Sequence, residues 1–513
     1  MKVAIVSSVY KPFFMGGAEV SSELLARGLR DAGHDVVVTL LIEKLPVRRE
    51  IGDIMGMEYL LDRNGERRLA AYFDRIGGVL RTAPQRTSFA TYAIGLMGDG
   101  ERKSAEPMAA RACPDPERVE AAHQRLTYFT RGAEWSDRDV RREAARYALA
   151  AMTARGPVTD WIIDDTGFPK QGTHSVGVQR QYSGTLGKIG NCQVAASLTI
   201  ATRTEHVPVD FALYLPQSWT DNRARRAEAH IPDEVTFKTK PELALEMIER
   251  AVADGLPAGL VLADSAYGDN SEFRRRVRCE GLDYAVGLHC TTTVWRLDSL
   301  GRRTGSPIAV GDLAIAIGRR GFRRVTWREG TKGKLASRFA VERVVLAQDD
   351  LVDPSKREVV WLVMEWPDGE ETPTDFTAAT LPATMTRREL VRRIKQRWRT
   401  ERVYEDAKGE LGLDHYEGRS FRGWHHHVSV VLACFAFIAA ERSRSFPPAA
   451  GKAVSRKARD RPDRADGGQA GTSLRGFVHH RAPGRRTRAD HMVAPLPALS
   501  PKVIRGATWR TCP

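Results

Sequence analysis

The chain has 513 residues, 42% of them hydrophobic, the proportions of an ordinary soluble protein with room for about two to four domains. No apolar run approaches the ~20 residues of a membrane helix. The opening Met1-Lys2-Val3-Ala4-Ile5-Val6 soon meets Lys11 and Pro12, too short for a signal-peptide core, so a cytoplasmic protein is expected. The six cysteines are scattered without a C-x-x-C pair, which argues against a metal cluster or a disulfide framework and fits a reducing compartment. The formal charge of +15 is unevenly spread: residues 442–513 hold sixteen Lys/Arg against four Asp/Glu, a net of +12, and residues 1–45 are neutral. Such a tail suits non-specific contact with a polyanion, or is simply a solvated, disordered segment.

In chain order, Val3–Ser8 reads as a buried strand, Gly16-Gly17-Ala18-Glu19 as a loop, Ser21–Ala32 as a helix ended by Gly33, and Asp35–Leu40 as a second strand. This is one βαβ unit. With Tyr10-Lys11-Pro12 ahead of Gly16-Gly17-Ala18-Glu19, residues 1–43 resemble the N-terminus of a retaining glycosyltransferase; its nucleotide-sugar domain has no counterpart further on. We read segment 1–45 as a gene-fusion remnant, with Met55 or Met57 able to start an independent product. Residues 57–155 read as amphipathic helices, a helical and DNA-binding domain or a packing domain. In them Ser136 caps a helix along which Val140, Ala144, Ala148 and Ala151 recur at helical spacing.

From 158 to 290 the pattern is α/β, with strands expected at 161–165, 191–201, 207–214, 259–264 and 283–288 and a helix at 241–254 opened by Pro241. Residues 291–380 read as a β-rich insertion containing Trp295, Trp327 and Trp361. Segment 381–445 opens on a Thr386/Glu389 capping box whose helix runs to about Lys408, followed by an apolar helix at 428–440. Residues 446–513 form the basic, disordered tail.

Two apolar runs each deliver a carboxylate to a strand end: Trp161-Ile162-Ile163-Asp164-Asp165 and Leu260-Val261-Leu262-Ala263-Asp264. The 386–408 helix carries Arg397, Glu401 and Lys408; at 100° per residue Arg397 lies about 40° and Lys408 about 20° from Glu401, so all three share one side. Two or three carboxylates can hold a pair of Mg²⁺ ions over a phosphodiester, with Mn²⁺ as a possible substitute. Each residue also has a plainer reading. A strand-end Asp is often a turn former, Asp165 can replace Asp164, Glu405 competes with Glu401, and Glu401 can simply pair with Arg397. His425-His426-His427 has no Cys or acidic partners at ligand spacing and reads as a polar surface or a DNA-facing cluster.

These blocks resemble the bacterial insertion-sequence transposases of the DDE class (DDE superfamily endonucleases), in the branch with a Tyr-x-x-Arg-x-x-x-Glu-x₆-Lys signature. Arg397, Glu401 and Lys408 keep that spacing, while Ile394 stands at the tyrosine position. Asp164–Gly172, Ala263–Gly268 and Gly412–His427 match further blocks, and the similarity spans about residues 57–445. The resemblance implies a ribonuclease-H-like catalytic core interrupted by the β-rich insertion, with Asp164, Asp264 and Glu401 as catalytic metal ligands. It favours Asp164 over Asp165. It also implies cleavage at the element's terminal inverted repeats, transfer into target double-stranded DNA, and a homodimer on DNA. Arg397, Lys408, Lys170, Arg180, Lys188, Arg419 and Arg422 become candidates for the DNA backbone, and Trp295 or Trp327 for base stacking, although either is an ordinary core tryptophan otherwise. The rival readings are a catalytically inactive DNA-binding derivative that inhibits transposition and, remotely, a glycosyltransferase.

Overall fold

The computed structural model describes residues 2–5, 35–38, 63–113, 115–330, 333–348 and 358–445; the expected helix at 21–32 and the basic tail lie outside them. Near the start, β1 (Lys2–Ile5) pairs in parallel with β2 (Asp35–Val38), Val3 beside Val36, as the βαβ pattern anticipates. The chain divides into two compact units, the second spanning, among the described residues, Gly287–Arg393. The whole is mixed α/β.

The first unit opens with five helices: α1 (Arg63–Gly77), α2 (Ala83–Met97), α3 (Ala105–Ala112), α4 (Pro116–Arg131) and α5 (Asp137–Thr153). Their starts are chemically specified. Thr82 and Gln85 form a reciprocal capping box on α2, Asp115 caps α4 ahead of Pro116, and the Ser136 hydroxyl accepts from Asp139 N on α5. Val140, Ala144 and Ala148 are buried along one stripe of α5.

The strands β3 (Val158–Pro169), β4 (Gln179–Ser183), β5 (Lys188–Thr202) and β6 (His206–Leu213) follow, then the short α6 (Gln217–Thr220), α7 (Arg223–Glu228) and α8 (Lys240–Ala253). After β7 (Leu260–Ala263) come α9 (Ser265–Gly268), α10 (Ser271–Cys279) and β8 (Tyr284–Leu288). β3 is central. It runs antiparallel to β5 and parallel to β7, β7 is parallel to β8, and β4 and β6 both pair with β5. Trp161, Ile162, Ile163, Val261 and Leu262 are fully buried, the continuous apolar texture of strands covered on both faces.

The second unit holds β9 (Thr293–Leu297), β10 (Arg303–Ala309), α11 (Val310–Ile317), β11 (Arg323–Gly330), β12 (Gly333–Leu346), β13 (Val359–Trp366), β14 (Asp375–Ala379) and α12 (Arg387–Ile394). Its strands lie in the order β10-β9-β12-β13-β14, with β11 on β12, and every pairing in that path is antiparallel. Within this β-rich stretch α11 is a helix that alternation does not foretell; it buries Val310, Leu313 and Ala314. The Thr386/Glu389 capping box is formed in both directions.

The chain then returns to the first unit as α13 (Trp398–Leu411) and α14 (Phe421–Ser445). The single helix expected from Thr386 to Lys408 is therefore two, separated at Lys395-Gln396-Arg397, just after the second unit ends at Arg393. Arg397 caps α13 in a helical conformation (φ −57°, ψ −28°), so the phase that aligned it with Glu401 and Lys408 survives the break. Gly412 ends α13 at φ 64°, a left-handed position that suits glycine.

α14 corrects two expectations. It is longer than the 428–440 segment, long and apolar enough by length and composition to cross a membrane, yet 94% of its apolar window is buried inside this fold. It is the axis against which α1, α2, α4 and α5 pack. The Tyr72 hydroxyl donates to Ala433 O, and the Arg68 guanidinium grips the buried Glu441 carboxylate. His426 and His427 are core residues, 2% and 0% exposed, and face neither solvent nor DNA. His426 lies between the Thr130 and Trp135 carbonyls (2.9 and 3.1 Å) and stacks on the Trp135 ring at 3.7 Å. His427 joins the Tyr92 hydroxyl to Gly412 O, and His425 meets Phe421 O within its own helix. The cluster is buried because it sits on the first turns of α14, where helical spacing turns two of its rings into the core.

Burial lowers the pKa of His426 to about 4 and of His427 to about 3. Unfolded histidine titrates near 6.5, so these two sites bind more protons in the unfolded chain between these values, and their contribution to stability falls as pH drops below about 6.5. We expect urea midpoints to fall between pH 7 and pH 5 by less in His427→Phe than in the native chain. At pH 7 that variant should lose about 1–3 kcal/mol for the Tyr92 hydroxyl left unpaired, while Gly412 O keeps its bond from His415 N.

Candidate active site

The parallel register of β3 and β7 creates the site. Trp161 stands beside Val261 and Ile162 beside Leu262. Two residues further on, Asp164 and Asp264 come level: Asp264 stands just past the C-terminal end of β7, whereas Asp164 lies midway along β3, which runs on to Pro169 instead of ending at the expected 165, just beyond the last residue that pairs with β7. Asp264 leaves its strand to cap α9, its Oδ1 accepting from Ala266 N at 3.0 Å. The Asp164 Oδ1 accepts from Asp165 N at 2.8 Å. Their other oxygens converge on one guanidinium: Arg397 Nη2 lies 3.6 Å from Asp164 Oδ2 and 3.9 Å from Asp264 Oδ2.

Successive strand residues point to opposite faces, and this separates the adjacent aspartates. Asp164 shares its face with Ser197 and, through the pair Ile162–Thr199, with the surface on which α13 lies; Thr400 Oγ1 is 3.3 Å from Thr199 Oγ1. Asp165 points to the other face, where Lys240 at the start of α8 meets its Oδ2 at 2.5 Å. Asp165 thus has a dedicated counter-ion, whereas Asp164 shares Arg397 with Asp264.

Burial pushes the Asp164 carboxyl up to about 7; Arg397 pulls it down, and the Asp264 charge pushes it up again. Two tyrosines close the site from behind. Tyr404 on α13 reaches Ser197 Oγ at 2.6 Å, and Tyr267 on α9 is wholly buried. Burial, then the Asp165, Asp164 and Asp264 carboxylates, raise the Tyr267 phenol well above its ordinary value. Tyr404 is raised too, by burial and then Asp164. Neither was singled out from sequence, although Tyr404 lies seven residues after Arg397, within about 20° of it on the helix. Lys240 and Ser197 carry no sequence signal of their own; strand pairing and helix packing reveal them.

The other expected residues sort as follows. Glu401 lies on the first turn of α13, exposed, and Glu405 is exposed one turn on. Among the described residues no three His, Cys, Asp or Glu side chains stand close enough to hold a metal, so two carboxylates of the expected three converge here. Lys408 donates to Thr166 Oγ1 (2.8 Å), Gly167 O (2.7 Å) and Thr185 Oγ1 (3.2 Å). Lys170 ties the strand's exit to the Asp414 and Tyr416 carbonyls, at 3.4 and 2.7 Å, so its ammonium is engaged inside the protein. Arg180, Lys188 and Arg419 are exposed, and Arg422 lies 3.8 Å from Glu134. In the second unit, Arg303 lies 5.2 Å over the Trp295 ring and Trp327 meets Phe339 edge-on at 5.7 Å.

The donor set at Asp164 and Asp264 is all oxygen, with no thiol or imidazole, and it holds a buried carboxyl whose charge one shared arginine only partly balances. That chemistry fits a hard divalent cation such as Mg²⁺. The raised Asp164 pKa has a consequence without any cation. At Asp164 the folded chain binds more protons than the unfolded one between about pH 4 and 7, so this group's contribution to stability falls as pH rises through that window. Asp164→Asn should therefore raise the metal-free Tm more at pH 8 than at pH 5; Asp165→Asn, which strands Lys240, should lower it at both.

A model of the DDE superfamily endonucleases matches residues 75–334, which include Asp164 and Asp264 and stop short of Glu401. Over 196 residues the chain is 30% identical to a probable transposase for insertion sequence element IS701 from Microchaete diplosiphon, a match covering 38% of this chain and 47% of that protein, so the chain spans about half the length of the curated relative it matches. With two aspartates level on adjacent parallel strands inside the matched segment, the chain belongs to the DDE superfamily endonucleases.

Proposed function

We propose that the chain is an insertion-sequence transposase that cuts DNA at the ends of its element and joins them to target DNA. The observation that carries this reading is the level placement of Asp164 and Asp264 around a single arginine. Asp164, Asp264 and Glu401 would hold two Mg²⁺ ions, with Mn²⁺ able to substitute, and the ions would supply charge neutralisation at the phosphodiester and activation of the attacking oxygen. Glu401 starts exposed on the arginine's side of α13 and turns inward when DNA is bound. Arg397 then exchanges its aspartates for a phosphate oxygen, a guanidinium being suited to either anion. Lys408 holds Gly167 and Thr166, and with them the strand that carries Asp164. Tyr404 and Tyr267 exclude water behind the carboxylates.

The reaction has two parts. Water cleaves one strand at the element's end and leaves a 3′-hydroxyl; that hydroxyl then attacks a phosphodiester of the target. The substrate is double-stranded DNA, namely the terminal repeats and the target. A homodimer would bring two ends together, and the helices of the first unit would read them. The core that holds the site would be ribonuclease-H-like, and the protein would work in the cytoplasm.

With a supercoiled plasmid carrying the gene and its flanking DNA, Mg²⁺-dependent nicking is expected. Asp164→Ala, Asp264→Ala and Glu401→Ala should each lower it by at least about a hundredfold, and Asp165→Asn by far less. Nicking that survives Asp164→Ala would overturn the reading. A folded, DNA-binding chain that never nicks would favour the inactive derivative.

A further inference from the structure

The β4–β5 hairpin carries two apolar side chains that nothing in the fold covers. Tyr182 is 60% exposed and Ile189 61% exposed, and they stand directly opposite each other across the two strands. Cross-strand partners share a face, so they form one patch. Arg180 belongs to the same exposed face of β4, two residues before Tyr182, and Lys188 is exposed at the turn. The flanking charge is positive.

The hairpin turn is fastened to the candidate active site. Thr185 Oγ1 donates to Gly167 O at 3.2 Å, and Lys408 Nζ donates to both residues. Gly167 has to be glycine here, because a Cβ would collide with the Ser183 hydroxyl. Gly167 lies three residues beyond Asp164 on β3, about 10 Å along the strand, which is about three stacked nucleotides at ~3.4 Å each. In the alternation of β5, Ile189 falls on the same face as Ser197, which stands beside Asp164.

An aromatic and an aliphatic surface beside cationic side chains, a few nucleotides from a phosphodiester-cutting site, matches the composition of a single-strand platform: bases on the ring, phosphates on the cations. We propose that Tyr182 and Ile189 form a stacking platform for an unpaired base of the DNA strand cut at Asp164 and Asp264, with Arg180 and Lys188 on the adjoining backbone. This rests on the DNA-cutting reading above.

The test uses the full chain in EDTA, so that no strand is cut, and two probes: a blunt duplex, and the same duplex with a short single-stranded extension carrying 2-aminopurine. The native chain should prefer the extended duplex by about tenfold, within the range of one base–aromatic stack, and should quench the 2-aminopurine. Tyr182→Ala should lose both effects and keep its affinity for the blunt duplex. Tyr182→Phe should keep both, and Ile189→Ala should weaken both. Equal preference and quenching by the native chain and Tyr182→Ala would overturn the platform. So would a smaller DNA-free oligomer in Tyr182→Ala, which would assign the patch to a second copy of the chain. Absence of binding to either duplex would overturn the DNA-cutting reading and the platform together.

Discussion

Two carboxylates held level where the pairing of adjacent parallel strands ends repel each other, and the site is organised around how that repulsion is met. Arg397 meets it here, 3.6 Å from one aspartate and 3.9 Å from the other. Both distances exceed a hydrogen bond, so the guanidinium balances charge without saturating the oxygens. The arrangement keeps Asp164 partly starved of positive charge, with its carboxyl up to about 7. Such a pair gains most from a cation it can exchange for the arginine. Asp165, one residue on, is spared because Lys240 serves it on the opposite face.

The convergence of Asp164 and Asp264 was legible in part: two apolar runs ending in aspartate read as strands whose carboxylates converge if the strands are neighbours, and β3 and β7 are neighbours in register. The helical phase of Arg397 and Glu401 also survives, even though the helix is broken at 395–397. The choice between Asp164 and Asp165 rests on resemblance; what the fold adds is that strand alternation sends the two to opposite faces, Asp165 to Lys240 and Asp164 to Arg397. Tyr267, Ser197 and Lys240 were not legible, since their importance comes from partners that only the fold brings to them, Tyr404 lying 207 residues from Ser197 and Asp165 75 residues from Lys240.

The histidine triplet failed for an instructive reason. Three consecutive polar residues suggest a surface, yet on a helix they sweep about 200° and cannot all face one way. α14 is the core axis of its unit, and the buried rings are satisfied by backbone carbonyls and one tyrosine hydroxyl. The same helix shows why apolar length alone is a poor sign of a membrane span: the fold around it covers nearly all of its apolar window.

Metal binding in the absence of DNA tests the account most directly. Mn²⁺ titrated into the full chain, with bound ion read by electron paramagnetic resonance, should occupy a site that Asp264→Asn abolishes and Arg397→Gln tightens, because the arginine and the ion compete for the same oxygens. Binding that is indifferent to Asp264→Asn, or weakened by Arg397→Gln, would contradict it.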